Sequence, residues 1–236
     1  MSKLIINKLL ITHKHKKLVN LVPNTIPITV EKSIALVGQS GSGKSLTLKS
    51  ILQMTPKELD VAFDYECDFT LDSNNIAFIP QNPFTSLSPM TKIYKQFFCD
   101  PKKIDQLLSL VKLDINLKNK FPLELSGGQL QRIVIAIALS KSPRLLLLDE
   151  PTTALDHTNK SIVLELINTL QKKMKFLIIF VSHDVESIQS ICQDIIILKD
   201  GNICEMGKTH NILNQPKSDY TKQLISSNFK NREFRV

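Results

Sequence analysis

A chain of 236 residues with 42% apolar side chains and a mean hydropathy of −0.01 has the length and composition of one large soluble α/β domain with a sizeable core. Its longest purely apolar runs, Ile133–Leu139 and Phe176–Val181, fall far short of the ~20 residues a membrane helix needs. The net charge of +8 fits either a lysine-rich solvated surface or residence beside an anionic surface.

The N-terminus carries Lys3 and Lys8 around Leu4–Asn7, with no long apolar core and no small-residue cleavage site, so a secretory signal is not expected and a cytosolic chain is. The four cysteines, Cys67, Cys99, Cys192 and Cys204, lack the short spacing of a zinc knuckle or a redox pair and are expected to be apolar filler.

In chain order, residues 3–11 and 26–37 show β-type patterning, interrupted by His13-Lys14-His15-Lys16-Lys17, and predict antiparallel strands leading into a buried strand at Ile34–Val37. Gly38-Gln39-Ser40-Gly41-Ser42-Gly43-Lys44-Ser45 follows and matches the phosphate-loop pattern at every fixed position. Glycines let successive N–H groups face one concavity, and the helix that begins there turns its positive end toward it. The chain has only seven glycines, and three stand in this loop. Nucleoside triphosphate binding is expected at Gly38 through Ser45 and Leu46, with Lys44 reaching the β- and γ-phosphates and Ser45 holding Mg²⁺.

Leu46–Met54 continues as a helix, with Pro56 beyond its end. Between Asp60 and Ile79, short β-prone pieces flank Asp72-Ser73-Asn74-Asn75 and suggest a small hairpin whose second arm, Ile76–Ile79, runs into Gln81. Residues 84–125 read as a helical insert. Asp100 is its expected N-cap, Pro101 its first helical position, and Ile104, Leu107, Leu108 and Val111 its buried face.

Ser126-Gly127-Gly128-Gln129 spends two more of the scarce glycines at the start of a helix, a second anion-binding arrangement. One domain cannot easily bring this segment to its own Lys44. A head-to-tail pair, with the nucleotide between loop 38–45 of one copy and residues 125–129 of the other, is the simplest geometry. Leu145–Leu148 is an apolar strand ending in Asp149 and Glu150. Asp149 is placed to hold Mg²⁺, and Glu150 to act as general base on the attacking water. Thr153–Asp156 is an expected subunit-contact turn. His183 ends the next strand, Phe176–Val181, and is expected at the γ-phosphate, and Ile195–Leu198 pairs with Asn202–Glu205 across an Asp200-Gly201 turn.

Taken together, Gly38–Ser45, Gln81, Leu125–Gln129, Leu145–Glu150, Ala154–Asp156 and His183 stand in the order and at the spacing that make the chain resemble an ATP-binding-cassette ATPase over residues 1 to about 227. The resemblance implies a P-loop NTPase (RecA-like) α/β core with a mostly parallel sheet, an antiparallel β subdomain and an α-helical insert. Residues 1–83 and 126–227 would form the core, 84–125 the helical subdomain and 228–236 a tail, all within one ATPase domain. It implies ATP and Mg²⁺ as ligands, with Gln81 contacting the Mg²⁺ and reporting to a transmembrane subunit, and a groove in the insert for a membrane coupling helix.

Gln81-Asn82-Pro83-Phe84-Thr85-Ser86-Leu87-Ser88-Pro89 and Asp219-Tyr220-Thr221-Lys222-Gln223-Leu224 resemble elements of importers for oligopeptides, dipeptides and nickel, and the loop-and-signature sequence is most like their first nickel-import ATP-binding subunit. Peptide-importer ATPases usually run longer and carry a C-terminal cysteine cluster, so a chain ending at Val236 without one points to the nickel branch, with an oligopeptide or dipeptide importer as the alternative. The implied partners are a similar but non-identical ATPase subunit, two transmembrane permease subunits and an extracytoplasmic solute-binding protein, at the cytoplasmic face of the cell membrane, with no nucleic acid. Chromosome-maintenance ATPases share these motifs but insert long coiled coils or zinc modules between phosphate loop and signature, and no such insert is present. The family usually stacks adenine on an aromatic upstream of the loop. Here that region offers His13 and His15 and no Phe, Tyr or Trp, so no adenine contact is assigned.

Overall fold

The computed structural model describes residues 2–21 and 27–230, and the chain divides into two compact units, Met1–Leu71 with Leu177–Val236, and Asp72–Phe176. Residue 26 of the second β-patterned stretch and residues 231–236 of the expected tail lie outside the described residues.

The first unit is built on strands in the order β3 (Ile28–Val30), β1 (Leu4–His13), β2 (Lys16–Leu21), β10 (Asn202–Lys208), β9 (Asp194–Lys199), β4 (Ser33–Val37) and β8 (Leu177–Val181), with β5 (Asp60–Cys67) on β1. β1 (Leu4–His13) buries Leu4, Ile6, Leu9 and Ile11, an alternation broken where its register with β5 shifts between Ile6 and Lys8. It pairs antiparallel with β2 (Lys16–Leu21), β3 (Ile28–Val30) and β5 (Asp60–Cys67). The expected hairpin between Asp60 and Ile79 does not form. β5 joins β1, and β6 (Ile76–Ile79) belongs to the second unit. The intervening turn is real, because the Asp72 carboxylate accepts the N–H groups of Asn74 and Asn75, but the chain leaves one unit there for the other.

β4 (Ser33–Val37) is wholly buried and lies parallel to both β8 (Leu177–Val181) and β9 (Asp194–Lys199), as continuous apolar strands of a parallel sheet do. β9 returns as β10 (Asn202–Lys208) through Asp200 and Gly201, at φ 49° and 77°, the two left-handed residues a tight hairpin demands. A Cβ on Gly201 would stand 2.1 Å from the Leu18 carbonyl oxygen, so this turn admits glycine alone.

α1 (Lys44–Ile51), α5 (Val185–Ile191) and α6 (Thr209–Asn214) also belong to this unit, and α7 (Asp219–Lys230) closes it. The link into α7 is held by Glu205 of β10, whose carboxylate accepts the N–H groups of Lys217 (3.0 Å) and Ser218 (3.2 Å). Burial pushes the Glu205 carboxyl up, but the Lys217 amide, the Thr221 hydroxyl, the Ser218 amide and the Lys217 charge together hold it below its ordinary value of 4.5. A folded-state value depressed in this way adds stability above the ordinary pKa that is lost as pH falls through the folded one. Glu205→Gln is therefore expected to shrink the drop in melting temperature between neutral pH and about pH 4, measured by circular dichroism on both proteins. A drop as large as that of the parent would contradict it.

In the second unit β6 lies parallel to β7 (Leu145–Asp149), and the Asn75 carbonyl accepts the N–H groups of Arg144 and Leu145 to fix the start of the pair. α2 (Pro101–Leu110) opens at the expected proline, and Ile104, Leu107, Leu108 and Val111 are buried as its spacing predicts. Asp100 occupies the N-cap position, but its side chain makes no capping hydrogen bond. The rest of the expected helical insert consists of short 3₁₀ turns at Pro83–Ser86, Ile93–Gln96, Ile115–Asn119 and Pro122–Glu124. α3 (Gly127–Leu139) is sunk on nearly every side through Leu130, Ile133, Val134, Ile135, Ala136 and Leu139, and α4 (His157–Met174) buries Val163, Leu164, Leu166, Ile167 and Leu170. Among the described residues no helix is long and apolar enough to cross a membrane.

Candidate functional site

In the first unit the loop after β4 is shaped by what it lacks. A Cβ on Gly38 would meet the Leu198 carbonyl oxygen at 2.3 Å, and one on Gly43 would meet the Val19 side chain at 2.5 Å. Gly43 is also the N-cap of α1, at φ 99°, a conformation that side-chain-bearing residues avoid. The Lys44 side chain, 8% exposed, turns back over the loop and donates to the carbonyls of Gly38 (2.8 Å) and Gln39 (2.9 Å). Ser42 Oγ is buried with no hydrogen-bond partner among the described residues, a polar atom turned into the loop without one. Ser45 is exposed on the first turn of α1 and Leu46 is half-buried behind it, while Thr47 Oγ1 donates to the Gly43 carbonyl at 3.0 Å and steadies that turn. A concavity of backbone N–H groups with one ammonium at its rim can take a phosphate chain.

His183 lies beyond β8. The β4–β8 register, with Leu36 opposite Val181, sets it at the same sheet edge as the loop, where its side chain is exposed. Asp184 beside it caps α5, accepting the Ser187 N–H at 2.7 Å.

In the second unit, the β6–β7 register pairs Ile79 with Leu148 and so carries Gln81 and Glu150 out of the sheet side by side. Gln81 Nε2 donates to Glu150 Oε2 at 3.4 Å, and Thr153 Oγ1 donates to the same oxygen at 3.0 Å. Glu150 sits at φ 47°, a left-handed conformation that costs an ordinary residue about 1–3 kcal/mol and is typical of sites where a side chain must be aimed. The sequence places Thr153 in the expected subunit-contact turn but does not mark its bond to Glu150. A hydroxyl three residues after a carboxylate in a turn is the only local sign of it. Asp149, half-buried, ends β7.

A second cluster in this unit surrounds the start of α3. Ser126 Oγ accepts the Gln129 N–H (3.2 Å) while Gln129 Oε1 accepts the Ser126 N–H (3.0 Å), a reciprocal cap that fixes the first turn. Gly128 lies against α4, where a Cβ would come 2.2 Å from Asn159 Oδ1. Asn159 donates to both carboxylate oxygens of Asp156, at 2.9 Å from its backbone and 2.6 Å from its amide, and these bonds hold the Asp156 carboxyl below its ordinary value. Asp156 thus serves as the N-cap of α4, and the glycines of the signature and the Asp156 turn form one packed cluster. Arg132 braces it by donating to the carbonyls of Gly128 (3.2 Å) and Lys112 (2.9 Å).

Among the described residues there is no group of three or more His, Cys, Asp or Glu side chains able to hold a metal on their own. Ser45 in the first unit, and Gln81 and Asp149 in the second, each carry an oxygen of the hard kind that suits Mg²⁺.

The comparisons with known proteins agree with this arrangement. The family model described as ABC transporter matches residues 25–153. The oligopeptide transport ATP-binding protein OppD of Bacillus subtilis is 36% identical over 224 residues, which are 83% of this chain and 63% of that protein. The metal-staphylopine import system ATP-binding protein CntD of Staphylococcus aureus (strain NCTC 8325) is 32% identical over 227 residues, 85% of this chain and 83% of that protein. The chain therefore spans less than two thirds of the first relative and most of the second. Among solved structures, cbiO1 from Clostridium perfringens, described as part of the ABC transporter complex cbiONQ, superposes with a TM-score of 0.74 at 24% identity and 90% coverage of both chains. With the phosphate loop, the signature cluster and the paired Gln81 and Glu150 all in family order, the chain belongs to the ABC transporter ATPase family and has its α/β P-loop fold.

Proposed function

We propose that this chain hydrolyses ATP as one of two non-identical ATP-binding subunits of a binding-protein-dependent importer at the cytoplasmic face of the cell membrane, and that the solute is nickel, free or as a chelate. The observation that carries the reading is the Gln81–Glu150 pair, because it joins the residue expected to polarise the attacking water to the head of the stretch expected to face the membrane subunits. Lys44 and the loop N–H groups neutralise charge on the phosphates, and Ser45, Gln81 and Asp149 would hold Mg²⁺, which would supply further positive charge there. Residues Ser126–Gln129 and Asp156 complete the nucleotide site of a facing subunit, and His183 contacts the γ-phosphate.

The stretch 84–125 acts as the helical subdomain that meets the permease. Its exposed apolar side chains support this: Phe84 is 47% exposed, Met90 82%, Phe98 66% and Leu123 70%. An oligopeptide solute is the second reading, favoured by the 36% identity to OppD.

The test is uptake of radiolabelled nickel complexes and of a labelled oligopeptide by cells with and without the gene. Loss of nickel uptake on deletion, restored by the gene, is the expected result. Loss of peptide uptake alone would move the solute to the second reading, and no change in either would overturn both.

A further inference from the structure

Helix α7 reaches the phosphate loop through a tyrosine hydroxyl. Tyr220, in the first turn of α7, accepts a hydrogen bond from the backbone N–H of Gln39 at 3.1 Å and donates to the Leu198 carbonyl at 3.3 Å. The Gln39 N–H belongs to the peptide whose carbonyl is that of Gly38, and that carbonyl accepts from Lys44 Nζ at 2.8 Å. In a trans peptide the N–H and C=O point in opposite directions. Tyr220 holding one end therefore directs the other end at the lysine ammonium. Leu198 completes the triangle, since its carbonyl also lies where a Gly38 side chain would be.

The tyrosine is itself held firmly. Thr221 is fully buried, Ser218 Oγ accepts the Thr221 N–H at 3.0 Å, Glu205 ties down the preceding backbone, and the Lys199 ammonium stands 5.3 Å from the Tyr220 ring centre.

We propose that Tyr220 is a positioning residue for nucleotide binding: its hydroxyl orients the Gly38–Gln39 peptide and, through it, the Lys44 ammonium. This rests on the reading of the loop as the ATP site. It assigns to the Asp219–Leu224 element a task at the phosphates, although that element is far from them in sequence. The hydroxyl is the only part of the side chain that does this work, so Tyr220→Phe keeps the ring, its packing and its contact with Lys199 while releasing both hydrogen bonds.

Three measurements on the full chain test it. Hydrogen exchange without nucleotide should show the Gln39 amide of Tyr220→Phe opening about tenfold faster than the parent, the scale of one lost hydrogen bond, with β4 and β9 amides unchanged. The dissociation constant for Mg·ATP, by calorimetry, should rise about three- to tenfold. The melting temperature should fall by no more than a few degrees, the scale of two lost hydrogen bonds, and Tyr65→Phe on β5 should leave the Gln39 exchange and the dissociation constant unchanged. Unchanged Gln39 exchange or an unchanged dissociation constant overturns the proposal, as does weaker binding accompanied by faster exchange throughout β4 and β9. If the unsubstituted chain itself takes up no Mg·ATP, the nucleotide reading has failed and the proposal with it. That outcome is told apart because it appears in the parent protein.

Discussion

Lys44→Ala is expected to lower ATP hydrolysis by about 10³-fold, the scale for removing a cation that faces a transferring phosphoryl group. The Lys44 stem is buried and its ammonium donates to the carbonyls of Gly38 and Gln39, within the loop that precedes α1. Truncation removes the charge, while the conformation of Gly43 and the Thr47 bond that set the first turn of α1 remain. The loss should therefore appear in nucleotide binding and turnover and leave the fold intact. Phosphate release, calorimetry and thermal melting, measured together, check it. Near-parental turnover by a folded variant would remove Lys44 from the mechanism.

Glu150→Gln should lower turnover by about 10²- to 10⁴-fold, the range for loss of a general base, while ATP is retained and the closed pair of subunits accumulates. The Gln81 amide and the Thr153 hydroxyl both donate to the same Glu150 oxygen, Oε2. The amide carbonyl of glutamine can accept both, which leaves the Gln81 and Thr153 contacts and the strained backbone in place and takes away only the ability to accept a proton. Binding and chemistry should thus separate cleanly. Retained nucleotide on a size-exclusion column, with slow phosphate release, is the expected signature. Parental turnover would rule out Glu150 as the base.

Much of this site could be read from local sequence because its physics is local. A phosphate loop is a run of glycines after an apolar strand, and the strand β7 ending in Asp149 and Glu150 needs only a hydrophobic run followed by two acids. The hairpin expected over Asp60–Ile79 failed for the opposite reason. β5 alternates between exposed and half-buried positions, so its own composition does not choose a partner, and the apolar stripe of β1 chooses it instead. The Asp72 turn was legible as a turn, but nothing in it says that the strands on either side pair with different neighbours. Asp100 shows a subtler limit: the cap position was right, yet the side chain does not bond there. Thr153 and Arg132 act through contacts that only the folded turn and helix create, and Tyr220 meets Gln39 across 181 residues.

Phe84, Met90, Phe98 and Leu123 stand in water that gains nothing by wetting them. Fully burying a side chain of this size returns about 1.5–3 kcal/mol, so the parts of the four still exposed offer about 4–8 kcal/mol together. Docking two macromolecules costs about 4–15 kcal/mol in lost translational, rotational and side-chain freedom. Greasy cover alone therefore comes close to balancing the expense of assembly without securing it. Whatever lies over this stretch must owe its tenacity, and its choice of mate, to the polar groups around those four side chains.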